Sequence, residues 1–139
     1  MEFEDFKNML LYHKIVEWKD NKIVLDNGIE ISIEMTDSDC CAYASGQFED
    51  VVLDAAITNV SDIEYKPWKD EDSLGEYGCE ATVTIMHNRN VICKAVGDAD
   101  AGNGGFYYSI ASFVVSIPGV EGNEYCHFVG NDDGLGEEN

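Results

Sequence analysis

The sequence predicts an α+β domain that is mainly β: an antiparallel curled sheet or small barrel, with an N-terminal helix and at most one further short helix. Three observations carry this. Ile29, Ile31, Ile33 and Met35 alternate with Glu30, Ser32 and Glu34, the period-2 signature of a strand with one dry face. Asp26-Asn27-Gly28 just before it is a tight-turn signal, because Asn-Gly supplies the positive φ angles a hairpin needs. The apolar run over residues 106–117 is too short to span a membrane and suits a central strand ended by Pro118-Gly119.

The remaining elements follow in order. Phe3, Phe6, Met9, Leu10 and His13 recur at helical spacing over residues 3–14, and Glu4 and Asp5 complement the helix dipole in the first turn. Residues 14–18 and 22–25 read as strands around an Asp20-Asn21 turn. Asp37 to Gln47 holds Cys40-Cys41 and Tyr43, and Ser45-Gly46 reads as a break in the pattern. Residues 48–57 fit a short helix or a buried strand, and 57–65 alternate as a further strand. Residues 66–78, with Pro67, Trp68, Lys69-Asp70-Glu71-Asp72, Gly75 and Gly78, read as a solvated loop. Residues 79–87 and 91–96 form a hairpin around Asn88-Arg89-Asn90, 97–105 is a Gly- and Asp-rich loop, and 124–129 is a last short strand. Residues 131–139 are expected to fray.

At 139 residues the chain is one domain, and 45% hydrophobic content supports a core without staples. Eight basic against 28 acidic residues give a formal charge of −20, and no Lys or Arg follows Lys94. A field of that sign repels nucleic-acid phosphates and anionic membranes and favours basic protein surfaces or cations. Direct nucleic-acid binding and membrane binding are therefore excluded as expectations. Five cysteines, an odd number, and the lack of a signal-peptide pattern predict a reducing, cytoplasmic setting. The sequence leaves oligomeric state open, since a strand such as 29–35 would pair across a dimer if it lay at a sheet edge.

No complete catalytic motif is present, and no cofactor is implied. Cys40, Cys41, His87, Cys126 and His127 are weak metal candidates, because neither a Cys-x-x-Cys nor a His-x-x-x-His chelate occurs. Adjacent residues on a strand face opposite ways, so the sequence predicts one buried and one partly exposed thiol at Cys40 and Cys41, structural rather than ligating. A nucleophilic cysteine would need a placed base, and none of His13, His87 and His127 sits in a recognisable motif. Asp98-Ala99-Asp100 has the spacing that opens a calcium loop, but Gly102 and Ser109 stand where two further ligands belong. Without Lys or Arg it is no phosphate cradle either.

Asp39-Cys40-Cys41-Ala42-Tyr43, Glu76-Tyr77-Gly78-Cys79 and Asn103-Gly104-Gly105-Phe106-Tyr107-Tyr108 together resemble a family of small bacteriophage and prophage proteins of unknown function. The similarity spans roughly residues 20–117. In that family a Cys-Cys-x-Tyr/Ser element precedes an acidic short helix, and an Asn-Gly-Tyr-Tyr-type turn comes later. This chain departs from it at Ser45-Gly46, where an aromatic pair is common, and in its acidic insert around Asp70. The resemblance implies a phage-related origin and a compact β-rich domain, and supplies no activity.

Acids two apart on a strand face stand about 6.5–7 Å from one another, near the spacing of phosphates along a nucleic-acid strand. Asp62/Glu64, Asp37/Asp39 and Asp98/Asp100 have that spacing in sequence. The leading functional expectation is a non-enzymatic, phage-type acidic protein that mimics nucleic acid and docks on a basic host protein such as a defence nuclease. Asp62, Glu64, Trp68, Asp70, Glu71, Asp72, Asp98 and Asp100 would form the docking surface, with Trp68 and Tyr65 as anchors. The alternative is a metal- or small-ligand-binding module centred on Cys40, Cys41 and the loop 97–108.

Overall fold

The computed structural model describes residues 1–70 and 75–134. Helix α1 (Phe3–Leu10) leads into β1 (Ile15–Lys19), β2 (Lys22–Leu25), β3 (Glu30–Ser38), β4 (Ala44–Glu49), β5 (Asn59–Val60), β6 (Glu64–Lys69), β7 (Tyr77–His87), β8 (Asn90–Asp100), a 3-10 turn over Asn103–Gly105, β9 (Ser109–Ser116) and β10 (Glu124–Gly130). All strand pairs are antiparallel, in two sheets. The first runs β1-β2-β3-β9-β10; the second runs β4-β8-β7-β5, with β6 also on β7. The fold is α+β and mainly β, as the patterning predicts.

The barrel alternative is corrected, because no ladder among the described residues joins the two sheets into one. The chain leaves the first sheet at the end of β3, turns at Cys40-Cys41 and enters the second as β4. The inner faces share one core: Ile31, Ile33, Phe113 and Phe128 from the first sheet meet Phe48, Val83, Ile85 and Cys93 from the second. Phe6 of α1 stacks on Phe113 at a ring-centroid distance of 4.4 Å, and Phe113 stacks on Phe128 at 4.5 Å. Each large apolar side chain buried this way contributes about 1.5–3 kcal/mol. Phe6 and Leu10, one turn apart, are the buried face that holds α1 down.

The Asp26-Asn27-Gly28 hairpin forms, with Gly28 at φ 88°. Strand β3 lies between β2 and β9, so it offers no free edge to a dimer. Its dry face ends at Ile33: Met35 is 42% exposed, and the register shifts between Met35 and Asp37. The long apolar run provides β9, flanked on both sides by β3 and β10.

Five expectations change. Ser45-Gly46 lies inside β4 rather than breaking a strand. A Cβ on Gly46 would sit 2.4 Å from Ile33 Cγ2, so glycine is what lets the two sheets approach there. Residues 48–57 make no helix; Phe48 and Glu49 complete β4, and the chain then turns through Asp50 and Asp54 at positive φ. The strand expected over 57–65 splits into Asn59–Val60 and the start of β6, and β6 also takes up the head of the expected loop, where Pro67 is tolerated because among the described residues β6 pairs only with β7. The segment expected to fray starts as an ordered turn, with Asn131 3% exposed and its Oδ1 accepting from Ser109 N at 3.0 Å. Residues 135–139 lie outside the described ones.

Candidate docking surface

The ends of β3 and β8 and the starts of β4 and β9 meet at one end of the molecule, where backbone and side chains stitch residues 37–43 to 100–109. Asp39 N donates to Tyr108 O at 2.9 Å, and Asp100 N to Tyr43 O at 3.0 Å. Asp100 Oδ1 accepts from Tyr43 N and Gly102 N, both at 3.0 Å. Gly102, at φ 69°, is pressed so closely that a Cβ would meet Cys41 O at 2.5 Å. Buried Ser109 places its Oγ 2.7 Å from Asp100 O and 3.1 Å from Tyr43 O. Tyr108 donates its hydroxyl to Asp37 Oδ1 at 2.9 Å, which raises the phenol above its ordinary pKa.

This scaffold presents aromatic rings to solvent. Tyr43 is 61%, Phe106 85% and Tyr108 38% exposed. Beside them the outer face of the second sheet carries acids in register: Asp98 lies opposite Glu80 on one side and Ser45 on the other, and Glu64 lies opposite Thr82. Ser45, Gln47, Glu49, Glu80, Thr82 and Asp98 line a shallow depression of about 490 Å³. Two lysines border these acids in register, Lys66 opposite Glu80 and Lys94 opposite Glu49.

Trp68 joins the two regions. Its indole lies over Gly78, where a Cβ would come within 2.6 Å of Cζ2, and its Nε1 donates to Asp98 Oδ1 at 2.8 Å. Partial burial raises the Asp98 carboxyl above the ordinary carboxylate value, the Trp68 hydrogen bond opposes that, and the Glu80 and Asp100 charges add to it.

Of the residues expected to dock, the structure brings Glu64, Trp68, Asp98 and Asp100 to this surface. Asp62 stands apart, paired with Lys7 Nζ at 2.8 Å beside α1. Asp70 follows β6, its amide donating to Glu76 O at 3.0 Å. Glu71 and Asp72 lie outside the described residues. Tyr65, expected as an anchor, turns inward, packing on the core and donating its hydroxyl to Phe128 O at 3.0 Å. Tyr43, Phe106, Tyr108 and Glu80 were not singled out by sequence. The signal for Phe106 and Tyr108 is the Phe106-Tyr107-Tyr108 run, which reads as the start of a strand although the Gly-rich turn before it throws these rings outward.

The thiols are corrected more sharply. Cys40 and Cys41 are both exposed on a turn, and the buried ones are Cys79, Cys93 and Cys126. A turn does not obey strand alternation, so the opposite-face expectation fails. Burial pushes Cys79 and Cys126 up to about 11 and Cys93 up to about 12. Contact with Cys41, then burial and the Asp39 charge, raise Cys40 as well.

The other weak metal candidates do not join Cys40 and Cys41. His87 Nδ1 donates to Ala56 O at 2.7 Å, His127 Nε2 pairs with Asp133 at 2.7 Å, and Cys126 is in the core. Among the described residues no group of three or more His, Cys, Asp or Glu side chains could hold a metal ion. No described helix is long and apolar enough to cross a membrane.

No curated protein and no solved structure matches this chain. A family model does match, over residues 8–114, a span that includes β1 to β8, the Cys40-Cys41 turn and most of β9. The chain therefore belongs to the family described as Domain of unknown function (DUF7448).

Proposed function

We propose that this protein is a non-enzymatic, phage-type binding protein that docks its anionic end on a basic surface of a host protein, such as a defence nuclease, where nucleic acid would otherwise bind. One observation carries the reading. Tyr43 and Tyr108 stand exposed beside Asp37, Asp39 and Asp100, Asp98 holds Trp68, and none of these four carboxylates forms an ion pair among the described residues. Charge of one sign steers a basic partner and sets orientation, while aromatic anchors supply the affinity that solvent-exposed charge does not. Asp98 and Asp100 sit two apart on β8, about 6.5–7 Å along the strand, which suits groups that otherwise grip successive phosphates. The phage attribution rests on the resemblance of the Cys-Cys and Asn-Gly-Gly-Phe-Tyr-Tyr elements, and the basic target on the −20 charge.

A second reading, a ligand-binding module, is favoured by the packing of the segment around Cys40-Cys41 against Asp100 at the end of β8 and Gly102 just after it. Affinity capture from host lysate, eluted along a salt gradient, separates the two. Retention of a nucleic-acid-binding protein that free DNA or RNA displaces supports docking. Failure to retain any such protein refutes it, and native mass spectrometry for bound ions then tests the module.

A further inference from the structure

Cys40 and Cys41 are both exposed, whereas Cys79, Cys93 and Cys126 are buried. As sequence neighbours on one turn their side chains lie close enough to influence each other electrostatically, and Cys41 likewise lies near Tyr107. The backbone beneath is held: Ala42 N reaches Asp39 O at 3.4 Å, and Gly102 is fitted against the Cys41 carbonyl. Two thiols are thus presented side by side on a braced turn.

A direct disulfide is a poor use of this pair. Consecutive Cα atoms are about 3.8 Å apart across a trans peptide, short of the roughly 4.4–6.8 Å that an unstrained disulfide spans. An atom inserted between the sulfurs relieves that strain. Structural zinc requires about four ligands, and no third His, Cys, Asp or Glu joins the pair among the described residues. Thiolates select soft ions, above all cuprous copper, which two thiolates alone can hold. The −20 charge also raises the local concentration of any cation.

We propose that Cys40 and Cys41 form a two-thiolate site for a single cuprous ion. Binding would replace both thiol protons by one Cu⁺, releasing two protons and leaving the site with one net negative charge, with no change of oxidation state. This deepens the ligand-binding reading and rests on it; the docking reading is tested separately, by salt-dependent protein retention.

The test is anaerobic competition between the reduced protein and the coloured cuprous bicinchoninate complex. The wild type is expected to withdraw one equivalent of Cu⁺. Cys40→Ser and Cys41→Ser should each weaken withdrawal by more than about tenfold, at least the loss expected from a merely supporting group. The double variant keeps the three buried thiols and should withdraw none. Unchanged circular dichroism shows that each variant folds, and alkylating the exposed thiols of folded wild type provides a second route to the same loss. The proposal is overturned if the wild type withdraws no copper, if the double variant withdraws as much, or if either single variant matches the wild type. Retention of a divalent ion without any cuprous uptake would overturn the cuprous site and leave the ligand-binding reading standing.

Discussion

Replacing Gly78 with alanine tests the placement of Trp68, on which the docking surface depends. The new Cβ would lie 2.3 Å from the Ala99 carbonyl oxygen and 2.6 and 2.8 Å from two atoms of the Trp68 indole. Ala99 belongs to β8, an interior strand paired on both sides, so its carbonyl cannot swing away without opening the β7–β8 ladder. The indole can move, but only by giving up its 2.8 Å hydrogen bond to Asp98. Overpacking of this kind costs about 1–3 kcal/mol, and a domain near this size loses about 2–4 °C in Tm for each kcal/mol. Gly78→Ala should therefore lower Tm by about 2–12 °C, measured by circular dichroism, with urea unfolding giving the free energy directly. The cycle with Trp68→Ala separates the two contacts: in that background Gly78→Ala should cost less, by about 0.5 kcal/mol or more. If Gly78→Ala is neutral within about 0.5 kcal/mol, or costs the same with and without the indole, Trp68 does not lie over Gly78 and the account of this face is wrong.

Three more outcomes are expected. Phe113→Ala removes the middle ring of the Phe6–Phe113–Phe128 stack and should cost about 3–5 kcal/mol; a loss under 1 kcal/mol in urea unfolding would mean that the core is not built around it. A thiol raised from 9.0 to about 12 by burial, as Cys93 is, favours the fold fully below the unfolded value, and that contribution drains away as pH rises toward the folded one. At pH 10 the loss should be about 1.4 kcal/mol from Cys93 alone; a Cys93→Ala variant whose stability declines as steeply between pH 8 and 10 would refute the assignment. Titration of the native protein with a coloured thiol reagent should label Cys40 and Cys41 at once and the other three only after denaturation, and rapid labelling of all five would contradict the burial pattern.

Much of the fold was legible because its strongest strands are locally encoded. The Ile29, Ile31, Ile33 alternation and the Asn27-Gly28 turn need no partner to be recognised, and the apolar run that gives β9 is long enough to require burial on both faces. Most of strand β6 is not legible, since Lys66, Pro67 and Lys69 have loop composition, and only pairing with β7 gives them strand geometry. The thiols were misplaced because the general tendency of cysteine to be buried outweighed the turn chemistry of Asp37-Ser38-Asp39 around them. Glu64, Trp68, Asp98 and Asp100 were candidates from their residue types. That Trp68 would reach Asp98, 30 positions away, depends on a β6-β7-β8 order that no local pattern specifies. Phe106 was read as apolar strand, whereas the positive φ of Gly102, Gly104 and Gly105 turns the chain before β9 begins.

The central claim is that one end of the molecule docks, and that the −20 charge alone does not. Capture from host lysate should be run in parallel with wild type, with Asp98→Asn/Asp100→Asn, and with Glu121→Gln/Glu124→Gln. Both variants remove two charges, but Glu121 and Glu124 lie at the β9–β10 connection, off the acid and aromatic surface. The account predicts that a basic, nucleic-acid-binding protein is retained by the wild type and the Glu121/Glu124 variant, is displaced by free DNA or RNA, and is released from the Asp98/Asp100 variant at distinctly lower salt. Equal retention by all three, or equal loss from both variants, would contradict it.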